Sequence, residues 1–354
     1  MKALALFPEL QYFDYAFPQP QYLGAKYVHR EWIGQFFPQG AITALDVFGG
    51  SQSISFLMKQ HGFRTLTNDF LRFNHDIGLA LIENKGETLS DEDVATLFSG
   101  NPRSDYFNLF ESLYANLFFS KQDCRLLDAF RGNVERLVNP YKKSLAIAIM
   151  NRSMTRKVTM GHFAHTQALA YASSPSRVKR NASLARPIRD IFTGLVDEYN
   201  QAVFDNGQEN RSYNSDAIEM LSSVRDVDLV YFDPPYCDSH ADYQGFYHLL
   251  ETFAMYWKDK SFVNGTKRYD PKRVSGFDRK TTIVENFEAL FKQSRKIPHW
   301  ILSYNDRSFP DIEVMVNLIS RYRHARVEKK TYNFSRGGKG SVAGSNEILI
   351  IGEP

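Results

Sequence analysis

Near-continuous apolar runs ending in turn residues mark the skeleton of this chain. Ala41-Ile42-Thr43-Ala44-Leu45-Asp46-Val47-Phe48 runs into Gly49-Gly50-Ser51. A short run of that kind fits a strand buried on both faces of a parallel sheet. Helical spacing follows from Ser53 to Gln60. A second strand is predicted from Arg64 to Asn68, ending at Asp69, and a helix from about Phe73 to Ile82. Strand, helix and strand in this order make a βαβ unit.

The period then changes. From about Ser90 to Arg156 apolar residues recur at helical spacing, as in Phe107, Phe110, Leu113, Leu117 and Phe118 within a helix predicted over 106–119. One face of a helix carries them, which marks core rather than site. Further helices are predicted over Leu126–Leu137, Ser144–Met154 and Pro187–Phe204. The polar stretch Thr155–Arg180 between the last two reads as a loop. Alternation resumes with a short helix at Ala217–Leu221 and a strand over Asp228–Phe232. Helices follow near Phe246–Tyr256 and Ile283–Phe291, then a strand at His299–Tyr304. Two closing strands, Arg326–Phe334 and Asn346–Ile351, are joined by a Gly-rich turn from Ser335 to Ser345. There is no internal repeat. The simplest architecture is one α/β sheet built from residues 1–84 and 206–354, interrupted by a mainly helical insert at 85–205.

Composition narrows the class. With 43% hydrophobic residues in 354 there is ample core material, and no apolar run is long enough for a transmembrane helix. The first residues lack a basic start followed by an apolar stretch, so no signal peptide is expected. The two cysteines, Cys124 and Cys237, are far apart and form no metal-ligand cluster. A reduced, cytoplasmic protein without bound metal is the expectation. Net charge is +3, but Lys121 to Asp190 holds fourteen Lys and Arg against four Asp and Glu. That segment suits a polyanion, or equally a solvated helical face.

The densest chemistry is Asp233-Pro234-Pro235-Tyr236, directly after the strand at 228–232. Open α/β sheets build their sites at the carboxyl ends of strands. Two prolines stiffen the turn and remove N–H donors, leaving acceptors. The Asp233 carboxylate and the Pro234 carbonyl could accept both hydrogens of an exocyclic nucleobase amine, and Tyr236 could stack on an extruded base. The plainer alternative is a proline turn with an aromatic beside it. Asp46 to Ser51 offers small residues between strand and helix, where backbone approaches a ligand closely. It lacks the G-x-G-x-x-G spacing of a dinucleotide site, since Gln52 and Ser53 fill the later positions. Asp69 is placed either to hold ribose hydroxyls or to cap the next helix. Asp216 is open in the same way, as a cap or as an acceptor for a cofactor's adenine amine.

These pieces, in this order, resemble the Dam-like, alpha-type D12 class of DNA adenine-N6 methyltransferases. The resemblance rests on Tyr22–Lys26, Phe48–Gln52, Asn68-Asp69, the basic insert and Asp233–Tyr236, with Leu302–Asn305 and Glu347–Ile351 as late motifs. Gln52 stands where the family's last glycine is usual, and Ala25 replaces the second glycine of the N-terminal segment. The resemblance implies a Rossmann-like methyltransferase sheet with an inserted, mainly helical target-recognition domain. It implies S-adenosyl-L-methionine as cofactor, bound by Tyr22, Lys26, Asp46, Phe48, Gly49, Gly50, Ser51, Asp69, Asp216 and Asp233. Phe48 and Gly50 would lie by its methionine part, Asp69 by its ribose.

The expected reaction is methyl transfer to N6 of an adenine flipped out of double-stranded DNA, without a metal. Arg152, Arg156, Lys157, Arg177, Lys179 and Arg180 of the insert are expected on DNA, as are Lys267, Arg268 and Lys339. A cognate restriction endonuclease is a candidate partner. Tyr243, Phe246 and Tyr247 either close over the base or form one side of a packed helix. An RNA adenine or cytosine-N4 substrate stays open, as does a catalytically inactive DNA-binding subunit of a defence system.

Overall fold

The computed structural model describes residues 10–235, 242–277, 279–336 and 340–354, and the side chains among these except at 332–345. Tyr236, Cys237 and Lys339 therefore lie outside the described residues.

The sheet strands are β1 (Thr43–Asp46), β2 (Arg64–Asn68), β3 (Arg211–Tyr213) and β4 (Leu229–Phe232), then β7 (His299–Asn305), β8 (His324–Arg336) and β9 (Gly340–Glu353). A separate hairpin pairs β5 (Ser261–Phe262) with β6 (Tyr269–Asp270). The seven sheet strands run in the order β3-β2-β1-β4-β7-β9-β8. The first five are parallel, with Ala44 opposite both Thr65 and Leu229. β9 is antiparallel to β7 and to β8. Strand order reverses between β1 and β4, which opens a crevice at their carboxyl ends.

Side-chain alternation explains the layers. Leu45, Val230, Phe232, Trp300 and Leu302 point to one face and pack on the helices Ala217–Ser223, Ile283–Ser294 and Ile312–Ser320. Ala44, Tyr231, Ile301 and Leu349 point to the other and pack on Ile33, Ile54 and Met58 of the helices Arg30–Gly34 and Ser53–Gln60. A third core joins the helices between β2 and β3 to Phe17, Phe56 and the buried face of the His248–Met255 helix.

The expected elements are present, the helix Ser53–Gln60 and the strand Arg64–Asn68 with the limits expected and several others with shifted ones. The helix over 106–119 shrinks to Leu109–Tyr114, because Asn116 turns back at positive φ and Ala115 bridges to Phe119. The helix expected from Ser144 starts at Pro140, where Asn139 caps two backbone N–H groups and proline fills the first turn. The loop expected over 155–180 contains two short helices, Ala168–Ala172 and Pro175–Arg180. Most of the turn expected at 335–345 is strand, since β8 runs to Arg336 and β9 starts at Gly340. The edge strand β3, the β5–β6 hairpin and the helix Ile312–Ser320 were not anticipated. The two strand features have only two or three residues per strand, too few to show a period.

Candidate functional site

The loops after β1, β2 and β4 meet in one cleft, closed on one side by Tyr22–Lys26 and on another by Ser275 and Phe277. Asp46, Phe48, Gly49, Gly50, Ser51, Asp69, Asp216, Asp233, Pro234 and Pro235 all line it. The cofactor residues expected from sequence are thus brought together with the described part of the proline turn. No described group of three or more His, Cys, Asp or Glu is arranged to hold a metal, and no described helix is long and apolar enough to cross a membrane.

The glycine loop is held by hydrogen bonds from below. Gly49 N donates to Asn68 O at 2.8 Å, and Gly50 N donates to Asp69 Oδ2 at 2.7 Å. Gly50 and Gln52 both sit at positive φ, +49° and +66°. Glycine takes that region freely and a side chain does not. Gln52 is fully buried, where its Oε1 accepts from Thr67 Oγ1 (2.7 Å) and its Nε2 donates to Asn74 O (3.3 Å). A β-carbon on Gly49 would overlap the Gln52 amide and lie 2.6 Å from Thr67 Oγ1. The glutamine in a glycine position and the glycine at 49 are therefore one arrangement.

Asp69 uses both oxygens on backbone, Oδ2 on Gly50 and Oδ1 on Leu71 N at 2.7 Å. It does not cap the helix Arg72–Gly78, whose N-cap, Leu71, makes no side-chain cap. Burial raises its carboxyl from the ordinary range, while the two backbone donors pull the other way. A carboxylate offers about four lone-pair directions, so acceptor capacity toward ribose hydroxyls remains. Asp216 does cap its helix, with Oδ1 2.9 Å from Ile218 N. Asn68 ties three loops together: Nδ2 donates to Val47 O and Ser215 O, and Oδ1 accepts from Ser215 N, each at 3.1 Å.

Lys26 is where the structure adds most. It lies in a 3₁₀ turn, Lys26–His29, and is buried. Its Nζ is 2.8 Å from Asp233 Oδ1, 3.0 Å from Gly24 O and 3.6 Å from Glu347 Oε1. Burial opposes the charge, but Asp233 and Glu347 outweigh it and hold the ammonium well above the usual lysine range. Glu347, on β9, is buried, and desolvation pushes its carboxyl up to about 7 against the pull of Lys26. The sequence marked Glu347 only as the start of a late motif. Its role is invisible there, because 320 positions separate it from Lys26.

Aromatic packing fixes the N-terminal segment. The Tyr22 ring stacks on Tyr247 at 4.7 Å, and Leu23 N donates to Tyr247 Oη at 2.8 Å. Tyr247 is buried in the helical core, so for it the packing alternative holds, while Tyr243 lines the cleft. Phe48 meets Phe277 edge-on at 5.2 Å. Phe277 gave no signal in sequence, being one aromatic in a polar loop.

The basic residues divide. Arg152 is hydrogen-bonded to Gln21 Oε1 (2.8 Å), Lys157 to Arg186 O (2.8 Å), and Arg268 to Asp242 Oδ2 (3.0 Å). Arg156 is half-buried. Arg177 lies over the Tyr171 ring at 4.7 Å, on the same helix as the exposed Lys179 and Arg180. Lys267 bonds to Asn264 Oδ1 at 3.3 Å in the β5–β6 turn.

The cleft suits a cationic ligand with hydroxyl groups. Among the described residues, Asp46, Asp69 and Asp233 line it together with the ammonium of Lys26. Asp46 Oδ1 is buried without a hydrogen-bond partner, and desolvation pushes that carboxyl up to about 7. A positive group bound beside it would relieve both. The sequence profile of the D12 class N6 adenine-specific DNA methyltransferases matches residues 22–318. Type II methyltransferase M2.HphI of Haemophilus parahaemolyticus is 34% identical over 344 residues, covering 95% of this chain and 98% of the relative. Modification methylase StsI of Streptococcus sanguinis is 31% identical over 122 residues, covering 34% of this chain and 18% of that protein.

Proposed function

Because the chain belongs to the D12 class N6 adenine-specific DNA methyltransferases, we propose that its cleft binds S-adenosyl-L-methionine and that Asp233 presents a flipped adenine amine for methylation. The observation that carries this reading is the meeting of Asp233-Pro234 with the Gly50–Asp69 loop at the strand-order reversal. When bound, the cofactor supplies an electrophilic methyl on a sulfonium, and Asp69, Phe48, Gly50 and Asp216 are the groups to hold it.

The protein's own work is positioning. Adenine N6 is a poor nucleophile because its lone pair is delocalised into the ring. Asp233 and the Pro234 carbonyl accept its two hydrogens and return electron density to nitrogen. The Lys26 ammonium pairs with Asp233 and fixes its orientation. Tyr236, outside the described residues, stacks on the base. The target is double-stranded DNA, gripped by the basic helices of residues 85–205 as a recognition insert. The names of the relatives support a modification role, and the same reading puts the protein in the cytoplasm with a cognate restriction endonuclease as partner.

The test is transfer of tritiated methyl from S-adenosyl-L-methionine to unmethylated DNA, with nucleoside analysis. N6-methyladenine is expected, lowered about 1000-fold or more in Asp233→Ala. Label only in RNA or in N4-methylcytosine would overturn the substrate. No label and no cofactor binding by calorimetry would leave a DNA-binding subunit.

A further inference from the structure

We propose that Glu347 is the proton-receiving partner of Lys26, taking up through that ammonium the proton that methylation releases onto Asp233. The inference rests on the reading of Asp233 as the acceptor of the N6 hydrogens. Asp233 stands at the end of β4 and Glu347 on β9, with β7 between them, and both carboxylates converge on one Lys26 Nζ at 2.8 and 3.6 Å. The Lys26 and Glu347 side chains are 5% and 4% exposed, against 19% for Asp233. A buried ammonium shared by two carboxylates is a built path for a proton.

The balance is simple. The amine nitrogen carries two hydrogens, gains a methyl and is cationic until one N–H bond breaks. That proton forms an O–H bond on Asp233. Lys26 gives one of its own protons to Glu347 and takes the one on Asp233. Lys26 ends as it began, Asp233 is again a carboxylate, and Glu347 is a neutral acid until the product base has left, when the proton returns through Lys26 to Asp233, the most exposed of the three, and from there to solvent. Without the second acceptor, a protonated Asp233 would lose its attraction for Lys26 and its grip on the next amine.

The surroundings favour a carboxyl that changes charge near neutrality. Glu347 faces Lys26 and Asp233, and its Oε1 is buried without a hydrogen-bond partner; its desolvated carboxyl is pushed up to about 7. Tyr231 of β4 faces Lys26, and its hydroxyl shares a hydrogen bond with Ser303 Oγ at 2.7 Å. His29, on the turn that carries Lys26, is pushed down to about 4 by burial, then by Lys26 and Lys330, and stays neutral. Lys330 is the cross-strand neighbour of Glu347 on β8.

Glu347→Gln decides it. Glutamine keeps the size and an oxygen for Lys26 but cannot take up a proton. Single-turnover formation of N6-methyladenine should rise with pH through about 7 in the wild type, as Glu347 ionises. In Glu347→Gln the rate should fall about 100-fold and that limb should vanish, with cofactor and DNA affinity held within about threefold. Glu347→Asp should restore the limb. Burial also pushes the Asp46 and Glu251 carboxyls up to about 7, so a limb kept in Glu347→Gln would assign it to one of these and overturn the inference. A uniform loss at every pH with weakened cofactor binding would do the same, leaving Glu347 a structural role. Infrared titration of the protein without cofactor gives a second readout: carboxylic acid absorption titrating near pH 7 that loses one carboxyl's amplitude in Glu347→Gln, the contributions of Asp46 and Glu251 remaining. A wild type that methylates no adenine would overturn the underlying reading, a result distinct from an unchanged variant.

Discussion

Gln52 occupies a left-handed backbone position that favours glycine, and its buried side chain makes two hydrogen bonds in compensation. Those bonds fill the space above residue 49, so the chain carries glycine there instead. Gly49→Ala should cost about 2–3 kcal/mol of stability, because the new methyl overlaps the Gln52 amide. In a Gln52→Gly background the same change should cost about 1 kcal/mol less, the contact with Thr67 Oγ1 keeping the remainder. A double-mutant cycle by chemical denaturation measures the coupling, and additive costs would show that the two positions are independent. Sequence showed the departure from the family pattern but not its compensation. Thr67 and Asn74 reach Gln52 from another strand and another helix, and nothing local announces them.

Among the elements, the buried Lys59 has a tying role the sequence hid. It lies on the helix Ser53–Gln60, yet its Nζ donates to Leu81 O (3.0 Å) and Asn84 O (2.9 Å) and sits 4.5 Å above the Phe204 ring. Those carbonyls end the π-helical turn Leu79–Glu83, so one ammonium fastens the first βαβ unit to the start of the helical segment. Desolvation lowers its pKa from the usual lysine value to about 7. Between about 7 and 10.5 the unfolded chain binds a proton that the folded chain does not, so Lys59 makes stability rise with pH across that window. Lys59→Met should flatten the rise, by at most about 1.4 kcal/mol for each pH unit. Denaturant melts at pH 7 and 9.5 give the comparison, and an equal rise in both proteins would remove Lys59 as the cause. Elements with a long period were legible: the helix Ser53–Gln60 and the strand Arg64–Asn68 have the limits predicted. Those decided by distant neighbours, such as β3 on Leu66–Asn68, were not.

For the molecule as a whole, charge separates from the cleft. Acids line the cleft, while the exposed Lys179 and Arg180 belong to a helix with no buried residue. On the proposed reading these two contact phosphate. Lys179→Ala with Arg180→Ala should weaken DNA binding for all sequences alike and flatten the plot of log affinity against log salt by about 2. An unchanged slope would place the DNA elsewhere. The proposed division at 85–205 meets a core that is shared, since Phe17, Phe56 and Tyr247–Tyr256 pack with those helices. By itself the sequence determined the chemistry and its order along the chain: an acid-proline-proline turn after a buried strand, a glycine loop, an acid at the next strand end, and a basic segment between. Residue type and local period carry that information, and both are read within a few positions. Tertiary structure alone decided which groups share a proton, a charge or a wall. Lys26 meets Asp233 and Glu347, Gln52 meets Thr67, and Phe48 meets Phe277 only once the strands take their order. Such pairings are set by the packing of segments far apart in the chain, which no local pattern encodes.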